Sequence, residues 1–251
     1  MAPVLADSFE TYKSNIRLVI LFSIPFIIAF LIPLIAVHDA YVSAGGIFLR
    51  TANLFHNPTP LGLSIIAIAE FFSLLFISLA FVLISLIVKS KRTHVRIGQM
   101  AFKEIEKNIS KVFVVLLIYT FILLLANIAG YYLGYEALFT IVVGIVGIIP
   151  IFYVPSAIVV DGKSISRAVK ESVKLIAREP QYFLIWIVSA IIVIFIVDFA
   201  SILGSIAILG PLTGTVVSEY LVLILNSLFI LPYFIIFIAE AYMKKFKLLK
   251  H

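Results

Sequence analysis

The amino-acid sequence predicts an all-α integral membrane protein with six transmembrane helices and both termini in the cytoplasm. Of its 251 residues, 63% are hydrophobic and 13% are charged, whereas about 25% of the residues in a typical soluble domain are charged. Apolar runs recur along the chain, each long enough to cross a hydrocarbon core about 30 Å thick. When six runs are taken as spans, every Lys and Arg except Arg50 lies on one side. The positive-inside rule makes that side the cytoplasm.

The connections between the six runs leave no room for a separate soluble domain, so residues 1–251 are expected to form a single transmembrane domain. The first run is longer than the apolar core of a signal peptide, about 7–15 residues, and is expected to remain as a span. The long loop after it contains an apolar stretch, Tyr41–Phe55, that is expected to dip into the membrane or lie on it. The predicted spans are Ile16–Val37, Leu61–Val88, Val112–Leu133, Ala137–Val160, a run that begins near Tyr182 and fades between Leu203 and Leu209, and Val216–Met243.

Three cytoplasmic segments that precede spans one, three and five resemble one another, which predicts an internal repeat. Phe9–Asn15 aligns with Phe102–Asn108, and Val169–Lys174 is a looser third copy. Such amphipathic helices lie in the membrane interface with their basic face toward anionic headgroups. The predicted architecture is three units of an interfacial helix and a two-span hairpin, at about residues 4–88, 95–160 and 164–243. The residues expected to contact lipid headgroups are Arg96, Lys103, Lys107, Arg167, Lys170, Lys174 and Arg178.

The most distinctive local pattern follows span four, where residues 157–175 read AIVVDGKSISRAVKESVKL. This segment resembles a broad group of six-span membrane proteins. The group includes the membrane domain found beside glycerophosphodiester phosphodiesterases and several archaeal families of unknown function. Its members tend to have a small residue and a Ser or Trp on this helix, and often end near a tyrosine such as Tyr242 followed by basic residues. The resemblance implies the six-span fold. It implies no phosphodiesterase activity, since this chain has no such domain, and it supplies no catalytic residues.

Four acidic residues lie within or beside the apolar runs, and an ionisable group there costs about 2.5–3.5 kcal/mol on insertion scales. Glu240 lies one turn from Lys244 and is expected to form a surface ion pair, and Glu219 is expected to be hydrated at the outer start of span six. Glu70 and Asp198 lie deeper, at a level where the spans contain no Lys or Arg. They predict either a cation or proton site in an outward-open cavity, or neutral acids hydrogen-bonded between helices.

Span six also carries polar residues at intervals of seven, namely Glu219, Asn226, Tyr233 and Glu240. This spacing places them near one helix face. Asn127 of span three could extend the same polar seam. Both a pore lining and a helix-packing face would have this pattern.

Five prolines interrupt the predicted spans: Pro25 and Pro33 in span one, Pro150 and Pro155 in span four, and Pro232 in span six. Each removes a backbone donor and frees a carbonyl group of the preceding turn. Broken helices line ion and substrate sites in transporters. They can equally shape the bundle alone, because neighbouring helices can satisfy the freed groups.

Enzyme signatures are missing from the sequence. It has no cysteine, no zinc-binding H-E-x-x-H, no G-x-S-x-G and no Walker loop, and its four histidines lie outside the spans. We therefore predict no catalytic residue, no cofactor and no metal ligand. The net charge of +6 is typical of cytoplasmic loops, so nucleic acid is not an expected partner.

Two functions are predicted, and a third is disfavoured. The first is a channel or transporter for a cation or small solute, with Glu70 and Asp198 at its polar centre and Glu219 and Asn226 toward the outer mouth. The second is an accessory protein that organises the membrane and binds anionic lipid or a partner through the basic helices. An intramembrane enzyme acting on lipid is disfavoured by the missing motifs. The sequence is also compatible with a homo-oligomer around whose axis the kinked spans gather.

Overall fold

The computed structural model describes residues 2–36, 60–93 and 97–244. These residues form α-helices and one π-helical turn, with no strand in the described ranges, so the all-helical prediction is confirmed for them. Arg50, Arg96 and the stretch Tyr41–Phe55 lie outside the described residues. The helices are α1 (Ala2–Ser14), α2 (Ile16–Ala36), α3 (Pro60–Thr93), α4 (Ile97–Leu133), α5 (Glu136–Ile151), α6 (Val154–Asp161), α7 (Ile165–Arg178), α8 (Pro180–Leu209), α9 (Pro211–Leu225), the π-turn (Asn226–Ile230) and α10 (Leu231–Met243).

Five stretches of the described chain are long and apolar enough to cross a membrane, which is compatible with an integral membrane protein. A sixth is present if α1 and α2 count as one span, although the two helices are bent by 89° relative to each other. Each of predicted spans two to six coincides with one of the five stretches. These stretches are Ser64–Lys91, Lys103–Leu133, Leu138–Asp161, Pro180–Leu209 and Thr213–Met243.

The structure differs from the prediction before span three. Phe102–Asn108 belongs to the continuous helix α4 rather than to a separate interfacial helix. Residues 97–133 contain no proline, so every backbone N–H of this stretch can join the helical hydrogen bonding. The third copy of the repeat, Val169–Lys174, does lie on a helix separate from the following span: α7 ends at Arg178, and α8 begins at Pro180. Proline is favoured at the first position of a helix and disfavours a helical conformation in the residue before it. The intervening Glu179 accordingly has φ −135° and ψ 64°.

Burial is uneven across the bundle. In an apolar 18-residue segment of α3, 61% is buried inside the protein, and in such a segment of Thr213–Met243 the share is 56%. In α8 the corresponding share is only 17%. α2 and α4 pack along α3, and α6 and α10 also contact it, so α3 is central. α8 packs mainly along α9, with smaller contacts to α7, α10 and the π-turn.

A tight turn joins α8 to α9. Gly210 has φ +79°, a value that favours glycine because it has no Cβ. Four residues later, a Cβ on Gly214 would lie 2.6 Å from the Cα of Ile206. The absence of a side chain at Gly214 therefore lets the start of α9 lie directly against the end of α8.

Candidate functional site

Two of the five residues predicted to bind a solute are in direct contact. The side-chain amide Nδ2 of Asn226 donates a hydrogen bond to the Asp198 carboxylate Oδ1 over 3.1 Å. Asp198 is half-buried on α8, and Asn226 is 4% exposed at the first position of the π-turn. This bond ties α8 to the helix that carries the π-turn.

The π-turn that holds Asn226 has a local cause in Pro232. A proline inside an α-helix lacks the N–H donor, and its ring clashes with the carbonyl four residues earlier. A wider π-turn relieves this crowding, and here the N–H of Leu231 donates to the carbonyl of Asn226. Asn226 Oδ1 and the buried Ser227 Oγ have no hydrogen-bond partner within the described residues. The break therefore places buried polar atoms beside Asp198.

The other predicted solute-binding residues lie elsewhere. Asn127 is 2% exposed and donates through Nδ2 to Thr140 Oγ1 over 3.2 Å, which joins α4 to α5. Glu70 is half-buried on α3, and Glu219 is exposed on α9. Along the predicted stripe, Glu219 is exposed near the start of α9, Asn226 and Glu240 are buried, and Tyr233 is half-buried. The π-turn lies between Asn226 and Tyr233, where it changes the number of residues per turn.

An apolar cavity of about 270 Å³ lies inside the bundle. This is close to the lower limit for ligand pockets, about 300 Å³. Its walls come from α2, α3, α4, α5, α6, α8 and α10. Trp186 and Thr120 line it, and Trp186 Nε1 and Thr120 Oγ1 are buried without a hydrogen-bond partner among the described residues.

A second and more open cavity of about 530 Å³ follows α8, and we call it the α8 groove. Its described lining residues are Trp186, Ile187, Ala190, Ile191, Ile194, Phe195, Asp198, Phe199 and Ile202. Asp198 is the one acidic residue among them. Trp186, Ala190 and Ile194 line both cavities, so an apolar surface leads along α8 from the interior cavity to the Asp198 carboxylate.

The contacts of α8 leave one side of the groove open. The helix α8 makes few contacts with α4 and α5, although all three helices contribute residues to the wall of the interior cavity. The main bridge is aromatic: the ring centroid of Phe152 lies 5.2 Å from those of both Phe183 and Trp186. Phe152 follows the last residue of α5, so this aromatic cluster joins the end of α5 to the start of α8.

The helix break in predicted span four is satisfied by a neighbouring helix. Ser172 Oγ of α7 accepts a hydrogen bond from the Tyr153 backbone N–H over 3.1 Å and donates to the Ile149 carbonyl over 3.1 Å. Pro150 lies inside α5, and Pro155 lies in the first turn of α6. The prolines of this span thus shape the bundle. In predicted span one, α2 runs through Pro25 without a break, and the side chain of Pro33 lies outside the described set.

A second polar region, which the sequence did not predict, lies where α1, α3, α4, α6, α7 and α10 meet. We call it the charged end, and its residues are Thr11, Lys89, Lys91, Glu104, Asp161, Lys163, Glu171, Tyr242, Glu240 and Lys244. Lys89 Nζ is 2.8 Å from Glu104 Oε1 and 2.8 Å from the carbonyl of Val159. Lys89 therefore links α3 to both α4 and α6.

The segment that carried the family resemblance meets Tyr242 in this region. Tyr242 is fully buried, and its hydroxyl donates to Asp161 Oδ2 over 2.6 Å and lies 3.5 Å from Glu171 Oε1. Lys163 forms ion pairs with Asp161, at 3.2 Å, and with Glu171. Gly162, with φ +66°, makes the turn that places Lys163 between the two acids. The sequence signal for this cluster was the Asp161-Gly162-Lys163 run together with Tyr242.

The prediction that Glu240 forms a surface ion pair with Lys244 is wrong. Glu240 is 3% exposed and accepts a hydrogen bond from Thr11 Oγ1 of α1 over 2.8 Å. Lys244 instead donates to the hydroxyl of Tyr182. The reason is that α1 covers this part of α10, a tertiary contact between residues that are 229 positions apart.

The described basic residues expected to contact lipid headgroups are exposed, namely Lys103, Lys107, Arg167, Lys170, Lys174 and Arg178. On α7, Ala168, Ser172 and Ile176 are buried. This helix therefore has a buried side and an exposed basic side, although Val173 of the predicted apolar face is exposed. In the part of the chain that the structure describes, no group of three or more His, Asp or Glu side chains could hold a metal ion.

Comparisons with family models, curated proteins and solved structures found no match to this chain. The resemblance to the six-span group therefore stays a prediction. Function has to be argued from the residues themselves.

Proposed function

We propose that this chain is a six-span transporter of a small cationic solute, without catalytic activity, and that Asp198 and Asn226 form its binding point. The observation that carries the proposal is the hydrogen bond between these two side chains at the π-turn. An acid within an apolar span is costly to insert and marks a functional site by default. π-turns inside α-helices are also frequent at functional sites.

The orientation of the proposed transporter follows from its charges. Lysines gather at the charged end, where Lys89, Lys163 and Lys244 lie. By the positive-inside rule, these charges support a proposed orientation with this end and both termini in the cytoplasm. Asp198 lies toward the far end of α8, so solute would reach it from the outer half of the membrane. The three-unit arrangement with interfacial helices belongs to the same proposal.

The test is solute flux from liposomes that contain the purified full chain. We expect flux of at least one of protons, sodium, potassium or a small organic ammonium ion above that of empty liposomes. Asp198→Asn, which removes the charge of the binding point, is expected to bring it down to the empty-liposome level. Glu106→Gln, which removes an exposed acid from α4, is the matched control and should keep wild-type flux. No flux of any of these solutes through the wild-type protein would contradict transport.

A second function is favoured by the exposed basic face of α7. Its four basic residues, Arg167, Lys170, Lys174 and Arg178, are free to meet anionic headgroups, and each contributes about 1 kcal/mol near such a surface. In this alternative, the protein organises the membrane or recruits a partner, and Asp198 is structural.

A lipid-retention experiment distinguishes the lipid-binding alternative from transport. Replacing all four α7 residues by Gln should reduce the amount of anionic lipid that copurifies with the chain, measured by mass spectrometry of the extracted lipid. Exchanging Arg for Lys and Lys for Arg at the same positions keeps the charge and should keep the lipid. Equal lipid retention by the Gln variant and the wild type would reject this alternative.

A further inference from the structure

We infer that the solute bound at Asp198 is a lipophilic organic cation, with one positive charge on an apolar or aromatic body. The inference rests on the proposed transport function and adds the class of substrate. Its basis is the chemistry of the α8 groove, where one carboxylate lies on an otherwise apolar surface.

The groove offers too few oxygen atoms for a small inorganic cation that has shed its water. Hard cations such as Ca²⁺ and Mg²⁺ take about six or more oxygen ligands. Among the described lining residues, only Asp198 supplies side-chain oxygen, and its hydrogen-bond partner Asn226 adds one amide. An organic cation with a spread charge is weakly hydrated, so a single carboxylate can compensate its charge.

Aromatic rings flank the carboxylate. Phe195 and Phe199 lie three residues before and one residue after Asp198, and their rings stack with centroids 5.8 Å apart and planes 10° apart. Both rings line the groove and are more than half exposed. Ring faces attract cations, most strongly away from water. The carboxylate and the rings thus favour the same kind of ligand.

The shape of the groove fits a bulky apolar body. Its volume of about 530 Å³ lies within the range of ligand pockets, about 300–1,000 Å³. Trp186, Ala190 and Ile194 extend the apolar surface into the interior cavity. Because α8 packs only sparsely against α4 and α5, a lipophilic cation could reach Asp198 sideways from the hydrocarbon region.

A membrane acyl chain would fill the same apolar surface without needing Asp198. The charge of the ligand therefore distinguishes the two occupants. The probe pair is tetraphenylphosphonium and tetraphenylborate, which share shape and size and carry opposite charges.

The experiment measures equilibrium binding of both probes to the purified full chain in detergent and in lipid nanodiscs. Saturable binding of tetraphenylphosphonium with little binding of tetraphenylborate is expected for the wild type. Asp198→Asn should weaken tetraphenylphosphonium binding about tenfold or more, since a tenfold change needs only about 1.4 kcal/mol. Ala190→Phe, which fills the shared wall but keeps the carboxylate, should weaken it as well. Glu106→Gln should bind like the wild type.

Three outcomes overturn the inference: no binding of tetraphenylphosphonium, equal binding of the two probes, or unchanged binding by Asp198→Asn. The probe comparison uses the wild type alone, so it remains decisive even if a variant elutes as aggregate in size-exclusion chromatography. Flux of inorganic ions that depends on Asp198, without tetraphenylphosphonium binding, would reject the substrate class and keep the transport proposal. Asp198-dependent binding without flux of any solute, this probe included, would support the site and reject transport.

Discussion

The charged end and the α8 groove hold ionisable side chains among apolar helices in opposite ways. At the charged end, Glu104 meets the ammonium group of Lys89, and Glu240 and Asp161 accept hydrogen bonds from hydroxyl groups. In the groove, Asp198 accepts a hydrogen bond from the neutral amide of Asn226 and lines an apolar cavity. The first arrangement joins acids to lysines and hydroxyl groups of neighbouring helices. The second places a carboxylate on the wall of a cavity that a ligand can fill.

The charged end and the α8 groove also differ in how tightly their helices are packed. Contacts at the charged end join six helices and reach the first turn of α8 through Lys244 and Tyr182. The rest of α8 is attached mainly to α9, and α8 is the least buried of the long helices. Regions with few buried contacts open at a lower free energy than the core. We infer that the charged end carries the stability of the bundle and that the α8 groove is where the protein can change shape around a solute.

The largest effect on this comparison is expected from Lys89→Met. The side chains of Lys89 and Glu104 are 13% and 17% exposed, so the variant leaves a mostly buried carboxylate without its cation. Breaking such a pair costs about 2–3 kcal/mol. The measurement is the free energy of unfolding of the detergent-solubilised protein in an SDS titration.

Lys103→Met is the control for this prediction, because Lys103 is an exposed lysine of α4 that directly precedes Glu104 in the sequence. Its unfolding free energy should stay within about 0.5 kcal/mol of the wild-type value. Equal stability of Lys89→Met and Lys103→Met would show that the charged end does not hold the bundle together.

A smaller effect is expected at the helix break of α5 and α6. Ser172→Ala removes the hydroxyl that serves both the Tyr153 N–H and the Ile149 carbonyl. Leaving these buried backbone groups unsatisfied should cost about 1–2 kcal/mol. Hydrogen exchange of the Tyr153 amide should also become faster. Ser166→Ala, at an exposed position of the same helix, should change neither quantity, and matching exchange rates in the two variants would contradict the assigned role of Ser172.

The helices could be predicted from the sequence because apolar runs and prolines act locally. Length and hydropathy located the stretches that are long and apolar enough to cross a membrane, and the 3.6-residue spacing located the amphipathic helix α7. The continuous helix α4 was missed for a local reason as well. A basic amphipathic segment looks the same whether it forms a separate helix or continues into a span. Pro180 marks the break after α7, but α1 and α2 bend by 89° at Asn15 with no proline there, so the local sequence does not decide between the two.

The partners of the polar residues could not be predicted, because they depend on contacts far apart in sequence. The expected partner of Glu240 was Lys244, one turn away, yet the contact observed is with Thr11. Asp198 and Asn226 were both predicted as site residues, but their pairing depends on the register of α8 against the π-turn. A proline predicts that a helix is disturbed, but it does not predict the form of the disturbance. Before Pro232 the helix forms a π-turn, whereas at the break between α5 and α6 the Ser172 hydroxyl bonds the freed backbone groups.

The smallest effect is expected from the pair Asn127 and Thr140, which tests whether a buried polar contact between apolar helices is by itself a strong interaction. Their hydrogen bond of 3.2 Å joins α4 to α5 away from both cavities. A double-mutant cycle with Asn127→Leu and Thr140→Val should give a coupling free energy of about 0.6 kcal/mol, the average for such bonds between membrane helices. The same SDS titration measures it. A coupling above about 2 kcal/mol would exceed the range of about 1–2 kcal/mol from model peptides and the maximum of about 1.7 kcal/mol from double-mutant cycles. It would mean that polar pairs throughout this bundle are strongly stabilising, and the Asp198–Asn226 bond would then be explained by stability as well as by solute binding.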